Sequence, residues 1–436
     1  MNSDHAPTPR AAALLPLLSF LVLFLGSGLY FSATGVDYAF YQIKAPVVAM
    51  VAIVLALAMA GRPLSRSVDR LLLGVGHPNI MLMCLVFLLA GAFASVTQSI
   101  GSVDATVQMG LSLMPASAVL PALFIITAFI ATAMGTSMGT IAAAAPIAVG
   151  FAGATGLSLP LAIGAVVGGA MFGDNLSMIS DTTIAATRSQ GAALRDKFRV
   201  NLWIALPAAV VTVVLLAALG GGTHPVASAP VDGWKVLPYV AVFLLALSGL
   251  HVLVVLMIGI VLAGGVGLAD SGYGIAALSG AIYSGFESMF EIMLLSMLIG
   301  GLSQLLHDQG GTRWLIDRIQ ATTRRWQRAG ARVGEAGIAA LVVVSNLFVA
   351  NNTVAIVVCG SMAKEIAEEY RVSPRRAASM LDLFSCVVQG LIPYGAQVLL
   401  ACSIAGLSPL ALMGAIHYCW MLGIAGVVAL LVQRPR

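Results

Sequence analysis

Five acidic residues lie inside long apolar stretches of this 436-residue chain: Asp174, Asp181, Glu287, Glu291 and Asp382. A carboxylate at the centre of a bilayer costs at least ~2.5–3.5 kcal/mol on insertion scales, so an acid kept there is a functional candidate by default. The densest polar group is GGAMFGDNLSMISDTTIAAT, residues 168–187. Asp174, Ser177 and Asp181 follow one another at three and four residues, the spacing of one helical face. Asn175, Ser180, Thr182 and Thr183 add oxygens suited to a hard cation such as Na⁺. On an unbroken helix Asp174 and Asp181 would stand ~10 Å apart along the axis, too far for one small ion to bridge. Either the helix breaks near Gly173, or the two acids serve successive stations of one path. The plainer alternative is that the hydroxyls pair across helices and Asp181 caps the membrane exit.

A second polar group, VANNTVAI, carries Asn351, Asn352 and Thr353 inside an apolar run. Asn favours turns over helix interiors and invites an unwound turn here. The stretch TAMGTSMGT, residues 132–140, offers glycines and hydroxyls to the same end. Such breaks would present helix ends and free carbonyls to an ion. MLDLFSCVVQGLIPYGAQ then brings Asp382 into the membrane, followed by Gln389, Gly390, Pro393 and Gln397. Glu287 and Glu291, four apart on one face, read as a proton relay or as a pair sharing one proton.

The elements that must hold these residues follow from composition. The chain is 59% apolar and 9% charged, against about 25% charged in soluble proteins. That excludes a soluble enzyme, and a disordered chain needs far lower hydrophobicity. The apolar residues run the whole length, so the fold expected is all-α: a polytopic membrane protein with about 11–14 transmembrane or re-entrant helices. Basic residues set its orientation, because cytoplasmic loops retain Lys and Arg. Arg10, the groups at 62–70, 188–199, 313–332 and 364–376, and the C-terminal arginines fall on one side; Lys44 and Lys235 fall on the other. Both termini are therefore expected in the cytoplasm, with the protein multi-pass in the inner or plasma membrane. The stretch 313–332 is amphipathic and basic and reads as a helix on the inner membrane surface. The five cysteines lie in apolar segments and form no metal-binding or redox spacing. The six histidines are uninformative singles.

The sequence also resembles itself. Gly91 precedes Gly101 by ten residues, as Gly301 precedes Gly311, and Thr140 and Pro160 match Thr353 and Pro374. The uncharged loop before Pro160 and the charged loop before Pro374 belong on opposite membrane faces, which makes the repeats inverted, with a site at the midplane where broken helices meet. The expected division is N-terminal helices over 1–78, a first repeat over 79–219, connecting helices over 220–275, and a second repeat over 276–432 that includes the basic linker 312–333.

GAMFGDNLSMISDTT resembles the signature of NhaC-type Na⁺/H⁺ antiporters, usually GxxFGDKxSPxSDTT. MLDLFSCVVQGLIPYGAQ is similar to that family's acidic segment running into LIPW, and SGFESMFEIMLLSMLIGGL to the span before its central loop. The resemblance covers roughly residues 80–430. It implies an inverted-repeat carrier of the ion transporter superfamily, with Asp174, Ser177, Asp181 and Thr182 at motif positions. Asn175 stands where Lys or Arg is usual, Met178 where Pro is, Tyr394 in place of Trp and Gly395 in place of Asn.

The function expected is Na⁺/H⁺ antiport by alternating access, Na⁺ and H⁺ competing at buried carboxylates. Asp174 is the first choice of shared acid, Asp181 and Asp382 the second. Asn175, Ser177, Thr182, Asn351, Asn352, Thr353 and Gln389 are the remaining candidates for the ion or substrate shell. No cofactor is expected beyond the transported Na⁺ and H⁺. The partners are the lipid bilayer, a small cation, a proton and, on the alternative reading, a small organic solute; nucleic acid is not among them, and a homodimer is one assembly open to the chain. That alternative is a Na⁺- or H⁺-coupled carrier of an amino acid or small organic acid. A membrane enzyme has no support, since no HExxH and no GxSxG with partners occurs. A channel is disfavoured by the repeat.

Overall fold

The computed structural model describes residues 8–34, 42–61, 63–178, 180–220, 232–269, 272–324 and 330–432. Arg62, Ile179, His224, residues 325–329 of the basic linker and the C-terminal arginines fall outside them. Every regular element described is helical. Three helices open the chain: α1 (Leu15–Ala33), α2 (Ala45–Ala58) and α3 (Leu64–Val75). Seven follow: α4 (Pro78–Ser99), α5 (Ser102–Leu113), α6 (Val119–Met134), α7 (Ser137–Thr155), α8 (Leu159–Leu176), α9 (Asp181–Gln190) and α10 (Leu194–Leu219). After α11 (Gly233–Leu247) and α12 (Val252–Ala269) come α13 (Ile275–Asp308), α14 (Gly311–Arg324), α15 (Ala331–Val349), α16 (Asn352–Glu369), α17 (Pro374–Gln389), α18 (Ala396–Ala405), α19 (Pro409–Ala415) and α20 (His417–Val432).

Among the described residues nine helical stretches are long and apolar enough to cross a membrane, ten if α18 and α19, bent by 107°, count as one. Three shorter apolar helices, α2, α11 and α20, add to them. The protein is an all-α polytopic membrane protein. Helices α16 and α17 are not among these stretches. Lys364 and Glu365 sit in α16, and Arg375, Arg376 and Asp382 in α17.

The polar motifs stop helices, for different local reasons. α6 and α7 pack on each other and are joined by Gly135, with φ of 68°, and extended Thr136. α15 and α16 pack likewise, joined by Ala350, with φ of 54°, and extended Asn351. Glycine takes the left-handed conformation freely; alanine pays for its Cβ there. α8 and α17 each start after an extended Ser, Ser158 and Ser373, with Pro in the first helical positions, where its missing N–H costs nothing.

These likenesses are in step. α7, α8, α9 and α10 begin at 137, 159, 181 and 194, and α16, α17, α18 and α19 at 352, 374, 396 and 409, each 215 residues later. Packing is exchanged in the same sense: α9 lies on α16 as α18 lies on α7, and α8 meets α20 as α17 meets α10. The sequence matches of Thr140 with Thr353 and Pro160 with Pro374 are therefore out of register by two residues and one.

Close helix contacts come from glycine, as membrane packing favours. Cβ atoms at Gly169 and Gly173 of α8 would strike the α6 backbone near Ala128 and Thr132, and one at Gly91 would strike Gly285, where α4 crosses α13.

Candidate functional site

α8 ends at Leu176 and α9 starts at Asp181. The unbroken stripe of Asp174, Ser177 and Asp181 is thus not formed: Ser177 is the extended C-cap of α8, and the break falls after Gly173, between the two acids. Four helix starts border one cavity of about 80 Å³: Thr136 and Ser137 of α7, Ser180 to Thr182 of α9, Asn351 to Thr353 of α16, and Ala396 and Gln397 of α18. Asp174 and Gln389, from the last turns of α8 and α17, complete its polar wall.

Asp174 is 5% exposed. Ser137 Oγ donates to its Oδ2 at 3.0 Å, and Ser180 Oγ donates to its Oδ1. Thr182 Oγ1 lies 2.8 Å from Ser180 Oγ. On the other flank Gln389 Nε2 donates to Gln397 Oε1 at 2.8 Å, and Gln397 Nε2 to Ser137 Oγ at 3.1 Å. Two hydroxyl donors, one of them backed by the Gln389–Gln397 chain, therefore end on one carboxylate, the pattern that suits an acceptor-only anion. Three of these residues have counterparts 215 positions on (137 and 352, 174 and 389, 182 and 397), so Asp174 answers to Gln389 and the site has one acid where its mirror has an amide. Gln389 Nε2 also holds the Ala350 carbonyl at 3.1 Å. Asn351 Oδ1 caps α16 through the Val354 N–H at 3.0 Å, while Asn352 Nδ2 and Gln389 Oε1 are buried without a hydrogen-bond partner.

Asp181 is exposed. With Asn79 and Thr353 it borders both this cavity and an open vestibule of about 730 Å³, walled also by Arg188 and Lys364. It stands at a mouth, ahead of Asp174 and not level with it.

Asp382 is elsewhere. It is fully buried behind the cavity wall, its Oδ2 2.6 Å from Lys197 Nζ. Asn175 Nδ2 and Asn201 Nδ2 donate to the same oxygen at 2.9 and 3.0 Å. Asn175 accordingly belongs to this group and not to the cavity, and the cation expected at position 175 is supplied by Lys197 of α10. The charge rule had placed Lys197 and Arg376 in cytoplasmic loops. Both are buried instead, Arg376 in an ion pair with Glu335 at 2.6 Å. An ion with an opposite charge beside it tolerates burial better than a lone one, although among the described residues Asp382 Oδ1 has no hydrogen-bond partner. Glu287 and Glu291 are not brought to the cavity: Glu287 is exposed, and Glu291 pairs with Lys44 at 2.9 Å.

Sequence reasoning missed Ser137, Lys197 and Asn201. Ser137 was one hydroxyl among several in TAMGTSMGT. Lys197 and Asn201 are four apart, on one face of α10, and an Asn in an apolar run four residues after a Lys was the available signal.

Residues 8–221 match the model of the Na⁺/H⁺ antiporter family. The chain is 23% identical over 361 residues, 76% of this chain and 77% of the relative, to a malate-2H⁺/Na⁺-lactate antiporter of Bacillus subtilis (strain 168). It is 24% identical over 375 residues, 79% of this chain and 77% of the relative, to the arginine/ornithine antiporter ArcD of Halobacterium salinarum. To the Na⁺/H⁺ antiporter NhaC of Bacillus subtilis (strain 168) it is 25% identical over 355 residues, 73% of this chain and 76% of the relative. The chain is thus similar to the Na⁺/H⁺ antiporter family over just under half of its length. Its relatives are transporters, and it is a secondary antiporter, not an enzyme.

Proposed function

We propose that the protein exchanges Na⁺ for H⁺ at Asp174. The observation that carries this is a buried carboxylate on a cavity wall, held by hydroxyl donors and by no cation among the described residues. A bare carboxylate in a low-dielectric interior costs several kcal/mol, so Asp174 needs either a proton or a cation, and one site holds only one of them. Ser137, Ser180 and Thr182 have lone pairs to turn toward Na⁺, whose preference is for hard oxygen donors.

The two halves cross the membrane in opposite senses and rock about the cavity. Arg188 and Lys364 put the vestibule on the cytoplasmic side by the charge rule, so this conformation opens inward through Asp181, with both termini in the cytoplasm of a bacterial inner membrane. A pH-sensitive dye in proteoliposomes, with Na⁺, K⁺ and Li⁺ added in turn, tests the exchange. Asp174→Asn should insert normally and lose at least about 100-fold in rate, the scale of deleting a group essential to proton transfer; undiminished exchange in that variant refutes the assignment.

A second reading, coupled transport of a small carboxylic or amino acid, is favoured by one observation: the vestibule is far larger than an ion needs, and two of the relatives are named for organic solutes. Uptake of radiolabelled candidates by the same vesicles separates the two.

A further inference from the structure

Lys197 is 1% exposed, and three oxygens of different kinds surround its ammonium: Asp382 Oδ2 at 2.6 Å, the Asn175 carbonyl at 2.7 Å and Thr183 Oγ1 at 2.7 Å. Three N–H donors meet three acceptors, so the group is satisfied without water. A dehydrated alkali cation asks for the same setting, mixed oxygens converging on a point charge. The carbonyl belongs to the last turn of α8, where the negative end of the helix dipole adds to the attraction. Neither Lys197 nor Asp382 borders the cavity, whose wall carries Asp174 instead. Asn175 stands between, next to Asp174 in the chain and bonded to both members of the pair.

The protein thus buries two neighbouring carboxylates in different company. Asp382 has a tethered positive charge, and Asp174 has only hydroxyl donors. We propose that Lys197 is a resident cation, a positioning residue that takes for Asp382 the place a transported ion would take. Asp174 alone then exchanges, and each cycle carries one cation one way and one proton the other with no net charge moved. The inference rests on the reading that Asp174 exchanges Na⁺ and H⁺. Its charge count is closed: with Na⁺ or with H⁺ on Asp174 the buried group is neutral, whereas the empty site carries one unpaired anion. An unpaired buried charge opposes the crossing, which ties the two ions together without a voltage step.

The test uses the full chain, with ²²Na⁺ equilibrium binding in detergent and exchange in proteoliposomes under potassium–valinomycin potentials. Wild type should bind one Na⁺ per chain, and its rate should change less than about twofold at about 100 mV, where each moved charge corresponds to a roughly 50-fold change in the exchange equilibrium. Lys197→Gln should bind a second Na⁺. The double variant Lys197→Gln, Asp382→Asn should return to one Na⁺. Two Na⁺ bound by wild type, a potential-dependent wild-type rate, or a folded Lys197→Gln that binds no more than wild type overturns the proposal. If Lys197→Gln fails to fold, the double variant decides: one bound Na⁺ supports the proposal, and lost binding overturns it. If wild type binds no Na⁺, the Asp174 reading fails separately; a Na⁺ bound by Lys197→Gln alone still upholds the resident cation, and none bound overturns it.

Discussion

The chemistry of the candidate site turns on how many donors reach a single oxygen pair. Ser137 and Ser180 both give their protons to Asp174, and Gln397 and Thr182 stand behind them. A hydrogen bond to a charged group is worth ~1.5–3 kcal/mol, so Ser137→Ala and Ser180→Ala should each weaken half-saturation by Na⁺ by roughly 10–100-fold, read from exchange rates against Na⁺ concentration. Asp174 was legible without a structure because an acid in oil needs a reason to be there. Ser137 was not, because a hydroxyl in a membrane helix has a cheap alternative. Thr140 in the same segment returns its hydroxyl to the Thr136 carbonyl, and nothing in the sequence distinguishes the two. Lys197 was hidden for the opposite reason: it stands among Arg188, Arg195 and Arg199, and a run of basic residues reads as one loop until the chain places each.

At the scale of elements the turns and crossings decide geometry. Ala350 holds φ of 54° while 6% exposed, a conformation costing an L residue roughly 1–2 kcal/mol, and it is pinned by Gln389. Strain of this kind gathers at functional sites. Ala350→Gly should therefore keep or raise the thermal midpoint in detergent despite glycine's entropy cost of ~0.5–1 kcal/mol. A clear fall would mean that the turn is unstrained. Gly173 acts in the other direction. A Cβ there meets the α6 backbone, and α8 cannot yield without moving Asp174 next door. Gly173→Ala should lower stability by ~1–3 kcal/mol, seen as an earlier midpoint, and should slow exchange as well. The glycines and polar breaks were visible in the sequence. Which helix each glycine faces was not, since that depends on how the elements pack.

At the scale of the whole molecule, a buried cavity and an open vestibule share Asn79, Asp181 and Thr353, and this shared wall makes a path. The five native cysteines are buried, so a cysteine introduced at Asp181 should react alone. Asp181→Cys should label with a membrane-impermeant maleimide in inside-out vesicles at least about tenfold faster than in right-side-out ones, given the charge rule; the reverse preference would turn the orientation over. Apolar composition and interrupted runs were enough to read an all-α membrane protein, because the bilayer leaves a hydrophobic backbone little choice but helix. They also singled out Asp174, Asn351, Asn352, Thr353 and Gln389, which share one cavity.

The solvent and the class of fold could be read from the letters alone, and Asp174 could be named as a candidate acid, since all three follow from the cost of polar groups in hydrocarbon. Only the tertiary structure decided that Asp382 is paired with Lys197 and Arg376 with Glu335, that Asp181 stands at a mouth, and that Glu287 and Glu291 lie apart. Pairing is a relation between helices distant in sequence, and an ion's cost depends on the partner it meets, not on the letters beside it.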